Sequence, residues 1–227
     1  MSELIVNTKP RSAFSEAIKT VRTNLLFSHM GKELKTVLIS SAKSGEGKSF
    51  ISANLAVAFA QNEKEVLIID CDLRRGRQHK IFNVKNDRRF GFSNLLIEPE
   101  PKLERYIKQT EIENVYLLPV GATPPNPSEL LGMEKTKILI ERLKRNFDII
   151  ILDCPPVLGL NDTLMLTKYS DANCIVVSAN DTKTDELERV KKSFEKVDAK
   201  VTGVILNNIE QQDNAYHDYY SSYLEEW

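Results

Sequence analysis

No run of apolar residues in this chain approaches the roughly 18 that a membrane-crossing helix needs. The opening MSELIVNTKPR also lacks the basic-then-apolar order of a secretory signal. A cytoplasmic protein is therefore expected. Cysteine is scarce: Cys71 and Cys154 follow apolar runs and Cys174 lies inside one, without metal-ligand spacing. These read as reduced, structural thiols. Neither sign of charge dominates, with 31 Lys and Arg against 32 Asp and Glu. That balance argues against a surface built to grip nucleic acid or anionic lipid, and no direct nucleic-acid partner is expected. Internal repeats and Gly/Ser-rich linkers are also missing. The 227 residues suit one large α/β domain or two small ones.

What is present is an alternation of short β-branched runs with helical segments. The runs are Thr36–Ser40, Val66–Ile69, Val115–Leu118, Asp148–Leu152, Cys174–Val177 and Val201–Leu206. Most are continuously apolar rather than alternating, as in strands covered on both faces of a parallel sheet. Helical spacing marks Lys48–Gln61, Ser128–Arg145 and Thr184–Lys196. The predicted class is α/β, a mostly parallel sheet with helices on both faces and ligands beyond the carboxyl ends of the strands. Ala13, Phe14, Ala17, Ile18, Val21, Leu25 and Leu26 predict an amphipathic helix over about residues 11–29, and 1–208 reads as a single domain. The segment 209–227 is polar, acidic and aperiodic, holds four tyrosines, and reads as a flexible tail.

After the first strand comes Ala42-Lys43-Ser44-Gly45-Glu46-Gly47-Lys48-Ser49, then an Ala-rich helix. This is a phosphate loop in its proper setting, apart from Ala42 where the strict motif has Gly. Glycines let backbone N–H groups converge on phosphate oxygens, and the helix start adds partial positive charge. Lys48 would reach the β- and γ-phosphates and Ser49 would ligate Mg²⁺. A Gly-rich turn with an exposed lysine is the plainer reading of the same residues. Two further runs end in acids: Ile68-Ile69-Asp70-Cys71-Asp72, and Ile151-Leu152-Asp153-Cys154-Pro155-Pro156. Each Asp alone could be a helix cap or a turn residue. Three of them after buried strands beside a phosphate loop fit a hydrated, oxygen-loving Mg²⁺.

The set GEGKS, IIDCDLR and IIILDCPP resembles the Walker A, A′ and B motifs of the bacterial tyrosine kinases of capsule and exopolysaccharide synthesis. The resemblance extends through Arg74-Arg75, His79-Lys80-Ile81-Phe82, Gly91–Leu96, Pro124–Leu131 and Leu206-Asn207-Asn208 to Tyr216, Tyr219, Tyr220 and Tyr223. It implies a P-loop NTPase of the deviant Walker superfamily that uses ATP and Mg²⁺ to phosphorylate protein tyrosine. The implied nucleotide seat is Lys43, Ser44, Gly45, Glu46, Gly47, Lys48, Ser49 and Phe50, with Asn207 at adenine. Ser49, Asp72 and Asp153 would hold Mg²⁺. Lys48, Asp70 and Asp72 would be catalytic, Asp70 orienting the incoming phenol. The four tail tyrosines would be autophosphorylation sites.

Glu16, Lys19 and Arg22 match the family's E-x-x-R-x-x-R oligomerisation motif, with Lys19 in the middle position; a Glu16–Lys19 pair within the helix is the local alternative. The resemblance further implies a homo-oligomeric ring, a membrane co-polymerase-type activator supplying a cytoplasmic segment, recruitment to the inner membrane face, and other protein-tyrosine substrates. Lys43 falls in register with the extra lysine of the partitioning ATPases. A nucleotide-switched ATPase dimer is thus the other reading, beside a plain surface role for that lysine. Arg74 and Arg75 would either neutralise acidic tail residues or phosphate, or stand in solvent.

Overall fold

The computed structural model describes residues 3–209. Seven strands form one sheet: β1 Thr36–Ser41, β2 Val66–Asp70, β3 Lys108–Gln109, β4 Val115–Leu118, β5 Ile149–Asp153, β6 Ala172–Ser178 and β7 Gly203–Asn207. Their order is β3-β4-β2-β5-β1-β6-β7, and only β3 runs antiparallel to its neighbour. The helices are α1 Ile5–Thr8, α2 Ala13–Ser28, α3 Lys48–Ala60, α4 Gln78–Ile81, α5 Phe92–Ile97, α6 Pro127–Gly132, α7 Glu134–Leu143, α8 Asp162–Leu166 and α9 Thr184–Glu195.

The alternation of the pleat sorts the core into layers. Val37, Ile39, Ile68 and Ile151 face one side, where they meet α3 and, through it, α1 and α2. Leu38, Leu67, Ile69 and Leu152 face the other, against α5, α7 and α8. A smaller cluster joins Ile175 and Val177 to Val190 and Phe194 of α9. Strands covered on both faces account for the continuous apolar runs. Helix α3 is buried on nearly every side, because its alanines let it lie between the sheet and α2. Asn54 of α3 fastens the N-terminal segment: its Oδ1 accepts from Val6 N–H at 3.0 Å and its Nδ2 donates to the Glu3 carbonyl at 2.9 Å.

The six expected strands are present, with ends shifted by a residue or two, and the N-terminal helix occupies 13–28. Three features differ. The segment expected as one helix from Ser128 to Arg145 breaks into α6 and α7, because Met133 is extended (φ -65°, ψ 147°). The last strand begins at Gly203, since Thr202 spends its N–H on the Asn173 carbonyl and its hydroxyl accepts from Asn173 N–H. The two-residue β3 is additional. Apart from Ile209, the segment read as a tail lies outside the described residues.

One close approach fixes the carboxyl edge. Gly91 precedes α5 and Gly121 follows β4; a Cβ on Gly91 would lie 2.1 Å from Gly121 N. Neither side of that contact is a flexible side chain, so the backbone itself must shift. Gly91→Ala is expected to lower stability by about 1–3 kcal/mol, read as a lower denaturant midpoint at unchanged m-value.

Candidate functional site

The chain leaves β1 and turns at Gly45 (φ 95°) and Gly47 (φ 92°), left-handed conformations that glycine adopts without strain. Helix α3 then starts at Lys48. The loop is braced from beneath. Glu46 is buried, and its Oε2 accepts from Lys43 N–H at 2.7 Å while its Oε1 accepts the Thr182 hydroxyl. Asn207 Nδ2 donates to the Glu46 carbonyl at 3.0 Å, and a Cβ on Gly47 would meet that nitrogen at 2.2 Å. Asn207 therefore supports the loop in this structure. Ala42 stands in place of the motif glycine because its methyl is packed with Val157 and Ile175.

Ser44 and Gly45 are exposed at the loop's tip. The Phe50 ring is tilted against Phe14 of α2, 5.0 Å between centroids. Lys43 turns aside: its Nζ lies 3.2 Å from both Asp181 Oδ2 and Glu186 Oε2, and donates to the Asp181 carbonyl.

The acids converge. Asp70 and Asp153 are register partners at the ends of β2 and β5, both fully buried. Lys48 Nζ lies 3.3 Å from Asp72 Oδ2 in the loop after β2. Gln78, at the start of α4, ties the cluster together. Its N–H donates to Asp70 Oδ2 (3.0 Å), and its Nε2 donates to Asp153 Oδ2 (2.7 Å) and to the Ser49 carbonyl (2.9 Å). The Ser52 hydroxyl donates to Asp153 Oδ1 at 3.3 Å. Burial, and then the Asp153 charge, push the Asp70 carboxyl well above the ordinary range. Burial also raises Asp153, against the pull of Lys48, Gln78 and Ser49.

Asp70 Oδ1 is buried with no hydrogen-bond partner. An orphaned carboxylate oxygen, hard oxygen donors and glycine-shaped amides fit a triphosphate with Mg²⁺. Among the described residues no His, Cys, Asp or Glu cluster forms a ready-made metal cage.

Two supporting residues carry no sequence signal. Gln78 sits outside every motif, and Asp162 follows an unremarkable loop. Arg74 is exposed yet paired: its Nε and Nη2 clasp Asp162 at 2.9 and 3.3 Å, and the Ser128 hydroxyl donates to the same buried carboxylate. Arg75 is exposed. On α2, Lys19 pairs with Glu16 at 2.7 Å, the local alternative, while Arg22 donates to the Ala58 carbonyl at the end of α3. The three cysteines are buried and unpaired, with thiols pushed up by burial, Cys174 to about 12.

Residues 34–208 match the family model described as an AAA domain. The chain is 37% identical over 220 residues to the putative tyrosine-protein kinase CapB of Staphylococcus aureus, covering 97% of this chain and 95% of that protein. It is 33% identical to tyrosine-protein kinase YwqD of Bacillus subtilis, covering 96% and 91%. The chain belongs to the bacterial tyrosine-kinase family. The kinase spans nearly all of CapB and YwqD but 30% of wzc from Salmonella typhi, to which it is 33% identical over 96% of its own length. Among solved structures, the kinase domain of Escherichia coli ETK superposes with a TM-score of 0.87 at 30% identity, covering 92% of this chain and 81% of that one. The septum-site protein MinD of Pyrococcus horikoshii, solved with Mg-ADP, gives 0.64 at 26% identity, covering 81% and 76%. The fold is thus that of a nucleotide-binding P-loop protein, and the enzyme is a protein-tyrosine kinase.

The buried acids have a thermodynamic consequence. The folded chain keeps a proton on Asp70 at pH values where an unfolded Asp, near 3.8, has lost it. Folded chains bind more protons in that window, so stability falls as pH rises from about 3.8 through the folded-state pKa, and stays low above it. Asp70→Asn keeps the acceptor for Gln78 N–H and removes the charge. It is expected to flatten this fall by removing the titrating group, measured by thermal melts across pH.

Proposed function

We propose that this kinase transfers the γ-phosphoryl group of ATP, with Mg²⁺, to the tail tyrosines Tyr216, Tyr219, Tyr220 and Tyr223 of a neighbouring copy. The observation that carries the reading is the group formed by Lys48 and the buried Asp70, Asp72 and Asp153 at the foot of a braced phosphate loop.

Lys48 and the amides from Ser44 to Phe50 bind phosphate oxygens, the Lys43 N–H being taken by Glu46. Ser49, Asp72 and Asp153 hold the metal. When bound, Mg²⁺ supplies positive charge against the phosphoryl oxygens of a loose transition state. Asp70 orients the phenol: the bond from its oxygen to phosphorus forms, the bond to the ADP oxygen breaks, and the phenolic proton passes to the carboxylate. A phenol titrates near 10 and an ordinary Asp near 3.9, so transfer comes late, once the forming bond has acidified the hydroxyl. Burial of Asp70 narrows the mismatch. Asn207 reaches adenine only beside its role under the loop.

Each phosphate would add about -1.5 to -2 charges to the tail, enough to repel it from an acidic cleft. The whole protein would act in a ring, joined through the α2 face of Glu16, Lys19 and Arg22. It would be stimulated by a cytoplasmic segment of a membrane co-polymerase-type partner, and would regulate capsular or exopolysaccharide synthesis at the inner membrane face. Relatives named CapB and wzc, and a solved chimera titled CapA2B2 (37% identical, TM-score 0.86), support that setting. Among the described residues no helix is long and apolar enough to cross a membrane, consistent with recruitment through a partner.

Incubation with labelled ATP tests the reading. Phe at all four tail tyrosines is expected to abolish incorporation while leaving nucleotide binding unchanged. Lys48→Met is expected to lower incorporation by about 10²–10³-fold. Hydrolysis without incorporation would instead identify an ATPase switch, for which Lys43, spent on Asp181 and Glu186, gives no support.

A further inference from the structure

A second group of charges lies on the carboxyl edge of the sheet, apart from the phosphate loop. The Phe90 ring is held edge-on to Tyr106, 5.7 Å between centroids at 79°. Three cations surround it: Arg105 at 4.5 Å from the centroid, Arg89 at 5.7 Å and Lys108 at 5.8 Å. Asp87 pairs with Arg89 at 2.9 Å, but among the described residues neither Arg105 nor Lys108 joins an ion pair. The ring face draws the cations together; Arg105 is exposed, and the half-buried Lys108 donates its Nζ to the Arg105 carbonyl. A cavity of about 680 Å³ opens beside them, with Lys85, Asp87, Ile107 and Lys108 in its wall.

The position of this cluster matters as much as its charge. Lys108 pairs with Leu117, which pairs with Ile68, two residues before Asp70. The cluster is therefore two strand spacings, roughly 10 Å, from β2, on the side of Asp70 away from β1 and its phosphate loop. In-line transfer brings the nucleophile in opposite the leaving group. A peptide offering its tyrosine to Asp70 would extend over β4 and β3.

We propose that Arg105 and Lys108, with Phe90 beneath them, dock the acidic tyrosine-bearing segment 210–227 of a second copy of this chain. The inference rests on the reading above that this segment is the substrate. Charge complementarity selects it: Glu210, Asp213, Asp218, Glu225 and Glu226 stand without a single Lys or Arg. Geometry selects a second copy. The segment leaves beside β7, at the opposite end of the sheet from β3. Six strand spacings separate those edges, about 29 Å. At about 3.5 Å per residue, Glu210 and Asp213 of the same chain fall short of that span, Asp218 reaches it only when fully extended, and Glu225 and Glu226 alone reach it with slack, so only a second copy can present all five acids there.

The test uses the 227-residue chain and a labelled peptide of residues 210–227. Variants are Arg105→Glu with Lys108→Glu, and the milder Arg105→Gln with Lys108→Gln, each checked for its melting temperature and ATP binding. For the charge-reversed pair, both KM and Kd for the peptide are expected to rise about tenfold, with kcat within about twofold. A peptide with its five acids changed to amides should lose the same affinity on the unaltered kinase, and added salt should erase the difference. Unchanged KM and Kd would overturn the docking and leave the kinase reading intact. Binding that depends on Arg105 and Lys108 without phosphate transfer would keep the docking and overturn that reading. Absence of peptide binding by the unaltered chain would overturn the docking.

Discussion

Asp70 and Asp153 end adjacent strands in the same register row, so folding brings two carboxylates side by side away from water. Like charges in a poorly screened interior repel strongly. Gln78 and Ser52 donate to them and Lys48 stands near, but one acid oxygen is still left without a partner. The fold therefore keeps a local excess of negative charge at the foot of an anion-binding loop. Such a pairing is unfavourable by itself, and the complement it fits is a cation carried in with phosphate. Stability and chemistry oppose each other at this point, as they do at many sites built for reaction.

The surroundings serve to hold that arrangement still. Gln78 links α4, β2 and β5 through one side chain and one backbone N–H. Arg74 and Asp162 draw the loop after β2 toward α6 and α8, and Ser128 completes the clasp. On the other flank the Gly91–Gly121 contact sets where α5 leaves the sheet. Each is a contact between segments far apart in the chain, so the site's precision depends on the whole layered fold.

That dependence explains what could be read from the residues alone. Strands covered on both faces appear as continuous Val, Ile and Leu, and the runs at Val66–Ile69 and Ile149–Leu152 are unmistakable. Lys48, Ser49, Asp70, Asp72 and Asp153 are legible because loop and strand-end spacing is local. Gln78, Asp162 and Thr182 are not, since the side-chain contacts by which they reach Ser49, Arg74 and Glu46 span 29 to 136 positions. The break at Met133 is hidden because one extended residue leaves the apolar period on either side nearly intact. Short α4, α5 and α8 hold too few turns to show a period, and β3 is two residues long.

Asn207 closes β7 and props the glycine turn through Glu46. The segment with the four tyrosines begins only a few positions downstream. The root of that segment and the cradle for phosphate thus share one mechanical lever. Tension that drags the end of β7 outward must first break the amide's grip on the loop, so a pull on the tether would be felt at the nucleotide's seat.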